Sequence, residues 1–165
     1  MNKTEYIEFT FNDKAKFENC NEFLNEIFKC NNNEKKKSEE FWLKIIPEYV
    51  IEYFKDSEKN KSWNLKNIIQ FINENLDVNF IGLYSNQVGI GKLDFEARGY
   101  PYGGPSSLIT LLRAFDCVAF ETNDGADIYK IRWNSNFEFA FDSTVLKENR
   151  IEEKGIKAFI KRLMK

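Results

Sequence analysis

The hydrophobic period of this chain changes near residue 80, and that change limits the fold classes open to it. Between residues 13 and 80, apolar residues recur three and four apart. Phe17, Cys20, Leu24, Ile27 and Phe28 fall on one stripe, the spacing of a helix that buries a single face. Beyond residue 80, apolar residues alternate. Leu93, Phe95 and Ala97 form one such set, Tyr129, Ile131 and Trp133 a second, and Phe137, Phe139 and Phe141 a third. Alternation is the mark of a strand with one face buried. Helices first and strands later, without a regular βαβ rhythm, predict an α+β fold.

The individual elements follow from the same reading. Tyr6 to Phe11 alternates, with Ile7, Phe9 and Phe11 on one face, and predicts an N-terminal strand. Asn12 is the expected cap of a helix near 13–29. Residues 31–37 are polar and predict a loop. Ser38, followed by Glu39 and Glu40, opens a second helical stretch bearing Phe41, Trp42, Ile45, Ile46, Val50, Ile51 and Phe54. Pro47 must kink or restart it, because proline lacks the amide hydrogen and clashes with the preceding turn. Asp56 to Lys61 reads as a charged loop. Asn64 is expected to cap a third helix that turns Leu65, Ile68, Ile69 and Ile72 inward.

In the second half, Phe80 to Tyr84 reads as a buried strand and 89–98 as another. Leu108, Leu111, Leu112 and Phe115 are spaced as a helix. Cys117 to Thr122 reads as a strand that turns at Asn123-Asp124-Gly125, residue types that tolerate positive φ. A last helix is expected near 150–164, with Ile156, Phe159, Ile160 and Leu163 inward. The expectation is therefore one domain spanning 1–165, with N-terminal helices packed on a mostly antiparallel sheet. A further helix follows the turn at 99–107, and a C-terminal helix ends the chain.

Composition and missing residues exclude much chemistry. The 165-residue chain contains no histidine, which removes Ser-His and Cys-His nucleophile pairs and an imidazole base. Cys20, Cys30 and Cys117 lack the spacing of a zinc knot or a disulfide framework. Cys20 and Cys117 read as buried thiols, while Cys30, at a helix end, is open to exposure. No Walker-type or dinucleotide fingerprint occurs, so no metal or cofactor is expected. Gly89-Ile90-Gly91-Lys92 looks like part of a phosphate loop but leads into a strand. Asp94 and Glu96 share a strand face with Lys92 and Arg98, which fits either a carboxylate pair for acid–base work or a solvated face of mixed charge.

The net charge of −2 is divided unevenly. Residues 1–80 carry −3 and residues 81–165 carry +1. Neither half has the basic excess of a nucleic-acid-binding protein. Lys154, Lys157, Lys161, Arg162 and Lys165 surround the C-terminal apolar stripe. Cations there complement a helix dipole, so a membrane role is not the expectation. The opening residues Met1 to Glu5 contain no apolar leader and no run reaches membrane-spanning length. A cytoplasmic location is expected.

One motif could hold a ligand. In Gly99-Tyr-Pro-Tyr-Gly-Gly-Pro-Ser-Ser107, Gly104 and Pro105 suit the start of a helix. Free amide groups and the hydroxyls of Ser106 and Ser107 would converge there, with Arg98 adding charge. Tyr100 and Tyr102 could stack on a flat group or fill a protein interface. Gly103 and Gly104 equally serve a tight strand-to-helix connection. The candidate contact residues are Arg98, Tyr100, Tyr102, Gly103, Gly104, Ser106 and Ser107.

The run Leu93-Asp-Phe-Glu-Ala-Arg-Gly-Tyr-Pro-Tyr-Gly-Gly104, with the Leu-rich helix that ends Arg113-Ala-Phe-Asp116, resembles a module in small, free-standing bacterial proteins. Some of these act as immunity partners of polymorphic or contact-dependent toxins. The resemblance spans residues 80–133 and carries no catalytic residue. It implies a non-enzymatic cytoplasmic protein that binds a cognate toxin directly. The alternative expectation is a domain or small enzyme that binds a nucleotide or other anion at the 98–107 turn. A homo-oligomer joined through a Phe-rich sheet edge is a third.

Overall fold

The computed structural model describes residues 4–32, 36–75, 78–86, 88–98 and 104–142. The expected C-terminal helix, and with it Ile156 to Leu163, lies outside the described residues. The elements, in order, are β1 (Glu5–Thr10), α1 (Lys14–Asn32), α2 (Glu39–Ile45), α3 (Glu48–Lys59), α4 (Leu65–Gln70) and a π-helical turn (Phe71–Asn75). They continue with β2 (Val78–Ser85), β3 (Ile90–Ala97), α5 (Gly104–Ala114), β4 (Val118–Asn123), β5 (Ile128–Trp133) and β6 (Phe139–Asp142). The α+β architecture is as expected.

The six strands among the described residues form one antiparallel sheet in the order β2-β3-β1-β4-β5-β6. The N-terminal strand thus sits inside the sheet. It joins the β2–β3 hairpin to the β4–β5–β6 meander. Because β3 and β4 are both antiparallel to β1, they run parallel to each other, and α5 is the crossover between them. This is a split βαβ unit.

The core lies between one sheet face and the helices. Ile7, Phe9, Leu93, Phe95 and Ala119 come from the sheet, and Leu24, Ile27, Trp42, Val50, Phe54, Ile68 and Ile72 from the helices. Helix α5 is buried on more than its predicted stripe. Ile109 and Thr110 are covered as well as Leu108, Leu111, Leu112 and Phe115, because β4 packs against the helix on one side and α3 on another.

Several local expectations change. Asp13, not Asn12, caps α1, since its Oδ1 accepts from the amides of Ala15 (2.9 Å) and Lys16 (3.2 Å). Helix α1 runs to Asn32, so Cys30 stays on the apolar stripe and is buried. Ser38 and Asn64 do cap their helices, accepting from Phe41 N at 3.2 Å and Asn67 N at 2.8 Å. Pro47 restarts the helix at Glu48. The segment read as a charged loop from Asp56 is the last turn of α3. It ends beyond Lys59 when Lys61 takes a φ of 59°. Phe137 falls in the turn before β6, so the strand presents only Phe139 and Phe141 on the predicted face.

Candidate functional site

The structure describes part of the predicted 98–107 site. Arg98 follows β3, is exposed, and donates a hydrogen bond to Asn79 Oδ1 on β2. Helix α5 begins at Gly104. Ser107 is only 2% exposed and so is covered from a surface ligand, while Ser106 is half-buried. Tyr100, Tyr102 and Gly103 lie outside the described residues.

The helix-free face of the sheet carries the mixed charges that the sequence grouped near Asp94. Cross-strand pairing aligns Lys92, Glu8, Glu121, Lys130 and Asp142 in one row. Lys92 Nζ lies 3.0 Å from Asp94 Oδ1 and 4.8 Å from the centre of the Tyr6 ring. The Tyr6 hydroxyl donates to Glu121 Oε1 at 2.7 Å, and Lys130 donates to Glu121 Oε2. Burial alone would raise the Glu121 carboxyl, but the bonds from Lys130 and Tyr6 outweigh it and hold the group below its usual range. Burial, reinforced by the bond to Glu121, pushes the Tyr6 phenol upward. Asp94 is thus ion-paired and Glu96 exposed, an arrangement of compensated charges rather than a carboxylate dyad.

The Gly89–Lys92 run has a packing explanation. Gly89 adopts a φ of +78°, and its carbonyl accepts from Phe11 N at 2.8 Å. Gly91 lies under the ring of Phe9. Asn86 builds the rest of this connection, its Oδ1 accepting from the amides of Val88 and Ile90, each at 3.0 Å.

That connection leads to the most distinctive surface. The sequence predicted Phe80 to Tyr84 as a buried strand, but β2 is the edge of the sheet. Among the described residues no strand pairs with its outer side. Phe80 anchors it inward, stacked on Phe28 with ring centres 4.3 Å apart. The register shifts between Phe80 and Gly82, and the intervening Ile81 is 46% exposed. Tyr84 is 51% exposed and lies across Gly82. Val88 and Ile90 continue the apolar exposure at 82% and 42%. Sequence reasoning missed this surface because these residues are apolar and strand-forming. The local signals available were Gly82, which leaves room for the Tyr84 ring, and the Asn86 turn.

Arg98 belongs to the same edge. Val78 pairs with Ala97, so Arg98 stands beside the start of β2, and Tyr84 lies near its end. Eight residues of strand span about 26 Å at ~3.3 Å each. Among the described residues, no helix is long and apolar enough to cross a membrane, and no three Cys, Asp or Glu side chains are grouped to hold a metal ion. Comparison with protein-family models, curated proteins and solved structures gives no match.

Proposed function

We propose that this chain is a non-enzymatic binding protein whose partner is another polypeptide, and that it serves as a bacterial cytoplasmic immunity protein that covers a cognate toxin. The observation that carries the reading is the β2 edge, on whose outer side no strand pairs among the described residues. An edge strand presents a row of amide and carbonyl groups that can pair with a strand from another chain. Natural edges of this length are usually blunted by charge, proline, a bulge or a covering element, and of these β2 shows the bulge. Here the bulge at Ile81 is accompanied by exposed Ile81, Tyr84, Val88 and Ile90. Apolar and aromatic side chains beside backbone that no described strand pairs are the makings of an interface centre. Arg98 at the far end adds a charged contact within reach of the same added strand. The resemblance of residues 80–133 to toxin-immunity modules supports the choice of partner.

The test is affinity capture from the native cell, comparing the wild type with Ile81→Lys/Tyr84→Ala. The wild type should retain a toxin in stoichiometric amount. The double variant should lose it while melting at the same temperature, since both side chains are exposed. Retention of the partner by the double variant, or no stoichiometric partner on the wild type, refutes the proposal. Tyr100→Ala with Tyr102→Ala asks whether the 98–107 turn belongs to the same surface: partner loss with stability intact places it there.

A further inference from the structure

A pocket built from other elements encloses about 270 Å³. It forms where the first turn of α1, the middle of α3, the end of α5 and the β5–β6 turn meet. Tyr49 and Tyr53, one helical turn apart on α3, supply apolar wall, and Phe137 extends it, its ring centre 5.2 Å from that of Tyr53. The Tyr53 hydroxyl donates to the Asn136 carbonyl at 2.9 Å, which fixes this wall.

The polar side consists of two cations that share one carboxylate. Lys16 Nζ lies 3.1 Å from Asp116 Oδ2, and Arg113 Nη1 lies 3.6 Å from Asp116 Oδ1. The trio therefore keeps one positive charge uncompensated. Asp56 also lines the pocket, but Lys59 pairs with it at 3.0 Å. Arg113 is held firmly. Its Nη2 donates to Asn136 Oδ1 at 3.1 Å, and its plane lies over Trp133 at 5.4 Å. Its Nε–H is nevertheless buried without a hydrogen-bond acceptor, an omission that folded proteins rarely tolerate. The Tyr49 hydroxyl accepts from Asn19 at 3.4 Å, and its own hydrogen has no acceptor among the described residues. Asp116 is presented from a φ of +65°, a conformation more natural to glycine.

We propose that this pocket binds a small planar monocarboxylate, its carboxylate held by Arg113 and Lys16 and its flat body set against Tyr49, Tyr53 and Phe137. The ligand oxygen meets the part of the Arg113 side chain that lines the pocket, because the Nε atom itself is buried out of reach. One negative charge cancels the one left over. A phosphate dianion brings one negative charge more than the trio leaves uncompensated, so the pocket selects a monoanion. The aromatic wall favours a ring over a bare acetate. This site does not depend on the β2 edge, and either proposal can fail alone.

The test is a titration of the whole chain with benzoate, followed by nitrogen–proton correlation spectra that include the Arg113 Nε–H signal. Benzamide, with the same shape and no charge, and inorganic phosphate are parallel probes. Benzoate should shift the Arg113 Nε–H, Asp116 and Asn136 signals saturably. Both other probes should bind at least about tenfold more weakly, the difference expected for a charge-assisted hydrogen bond. Arg113→Gln should weaken benzoate by at least about tenfold. If that variant does not fold, Lys16→Gln, on a more exposed side chain, should weaken it several-fold. The proposal is overturned if benzoate gives no saturable shift or if phosphate binds as tightly as benzoate. It is also overturned if a folded Arg113→Gln, or Lys16→Gln in its place, binds benzoate like the wild type.

Discussion

The ring of Phe9 occupies the space where Gly91, its cross-strand partner, would carry a side chain. A Cβ on Gly91 would stand 2.3 Å from Phe9 Cε2 and 2.4 Å from Cζ. Phe9 is fully buried and packed beside Phe17, so its ring cannot swing away. Gly91→Ala should therefore destabilise the fold by about 1–3 kcal/mol, the usual cost of overpacking a core. Gly82→Ala meets the Tyr84 ring at 2.5 Å, but that ring is exposed and can move. Its effect should stay within about 0.5 kcal/mol. Urea denaturation of the two variants separates these cases, and equal stabilities would refute the packing argument.

Asn73 joins two elements through one side-chain amide. Its Oδ1 accepts from the indole Nε1 of Trp42 at 3.0 Å, and its Nδ2 donates to the Lys37 carbonyl at 3.0 Å. Trp42 is fully buried and Asn73 half-buried, so truncating the amide takes the acceptor from a donor deep in the core. Asn73→Ala should cost about 1–3 kcal/mol, the penalty for an unsatisfied buried donor. For a chain of this length each kcal/mol lowers Tm by about 2–4 °C. An unchanged melt would mean that Trp42 finds another partner.

These two residues show where the sequence was readable and where it was not. Ser38, Asn64 and Pro47 act on groups within four residues of themselves, so their effects were legible. The alternation of Ile7 and Phe9 likewise identified the buried face of β1. Strand order was not legible, because β1 pairs with β3 and β4 across 80 to 117 positions, and no local pattern encodes that choice. The exposure of Ile81 and Tyr84 follows from that order alone. The Lys16–Asp116 contact spans 100 positions and was equally hidden. Arg113 and Asp116, three apart at the end of an apolar helix, were the only local sign of the pocket.

Among the described residues, two helices end with a residue other than glycine in the left-handed region. After α3, Lys61 N bonds to Glu58 O at 2.9 Å and Ser62 N to Ser57 O at 3.0 Å. After α5, Asp116 N bonds to Arg113 O at 2.9 Å and Cys117 N to Leu112 O at 3.0 Å. Both are Schellman caps, whose turning residue is usually glycine. A left-handed L-residue costs about 1–2 kcal/mol, partly offset by the unfolded-state freedom that glycine adds, about 0.4–1 kcal/mol. Lys61→Gly should thus stabilise by about 0.5–1 kcal/mol. Asp116→Gly should gain less, because it also removes the partner of Lys16 and Arg113. The reverse order in chemical denaturation would show that the Asp116 ion pairs contribute nothing.

Glu121 sets part of the response to acid. Burial opposes its ionisation, but Lys130 and Tyr6 hold its folded-state pKa below the value in the unfolded chain. Its contribution to stability is present above the unfolded value, about 4.3, and is lost as pH falls through the lower folded value. Glu121→Gln should remove that part of the acid slope and flatten stability against pH below about 4.3. Parallel slopes for the wild type and the variant in acid denaturation would refute the assignment.

Tyr53 sets the corresponding response to alkali. Burial, only partly countered by Arg113, pushes its phenol from 10.0 up to about 12. The neutral form also donates to the Asn136 carbonyl at 2.9 Å, a bond that the phenolate cannot make. The folded state therefore binds the proton more tightly than the unfolded chain does. The resulting stabilisation is complete below pH 10 and is lost as pH rises toward 12. Tyr53→Phe forfeits the hydrogen bond at neutral pH but should lose less stability than the wild type between those limits. Tyr6 is raised as well, so the difference between wild type and variant, not the wild-type curve alone, isolates Tyr53. Phenolate absorbance should show one fewer late-titrating tyrosine in the variant. If the late transition persists unchanged, Tyr53 is not the group responsible, and the wall of the Arg113 pocket is more open to water than its burial implies.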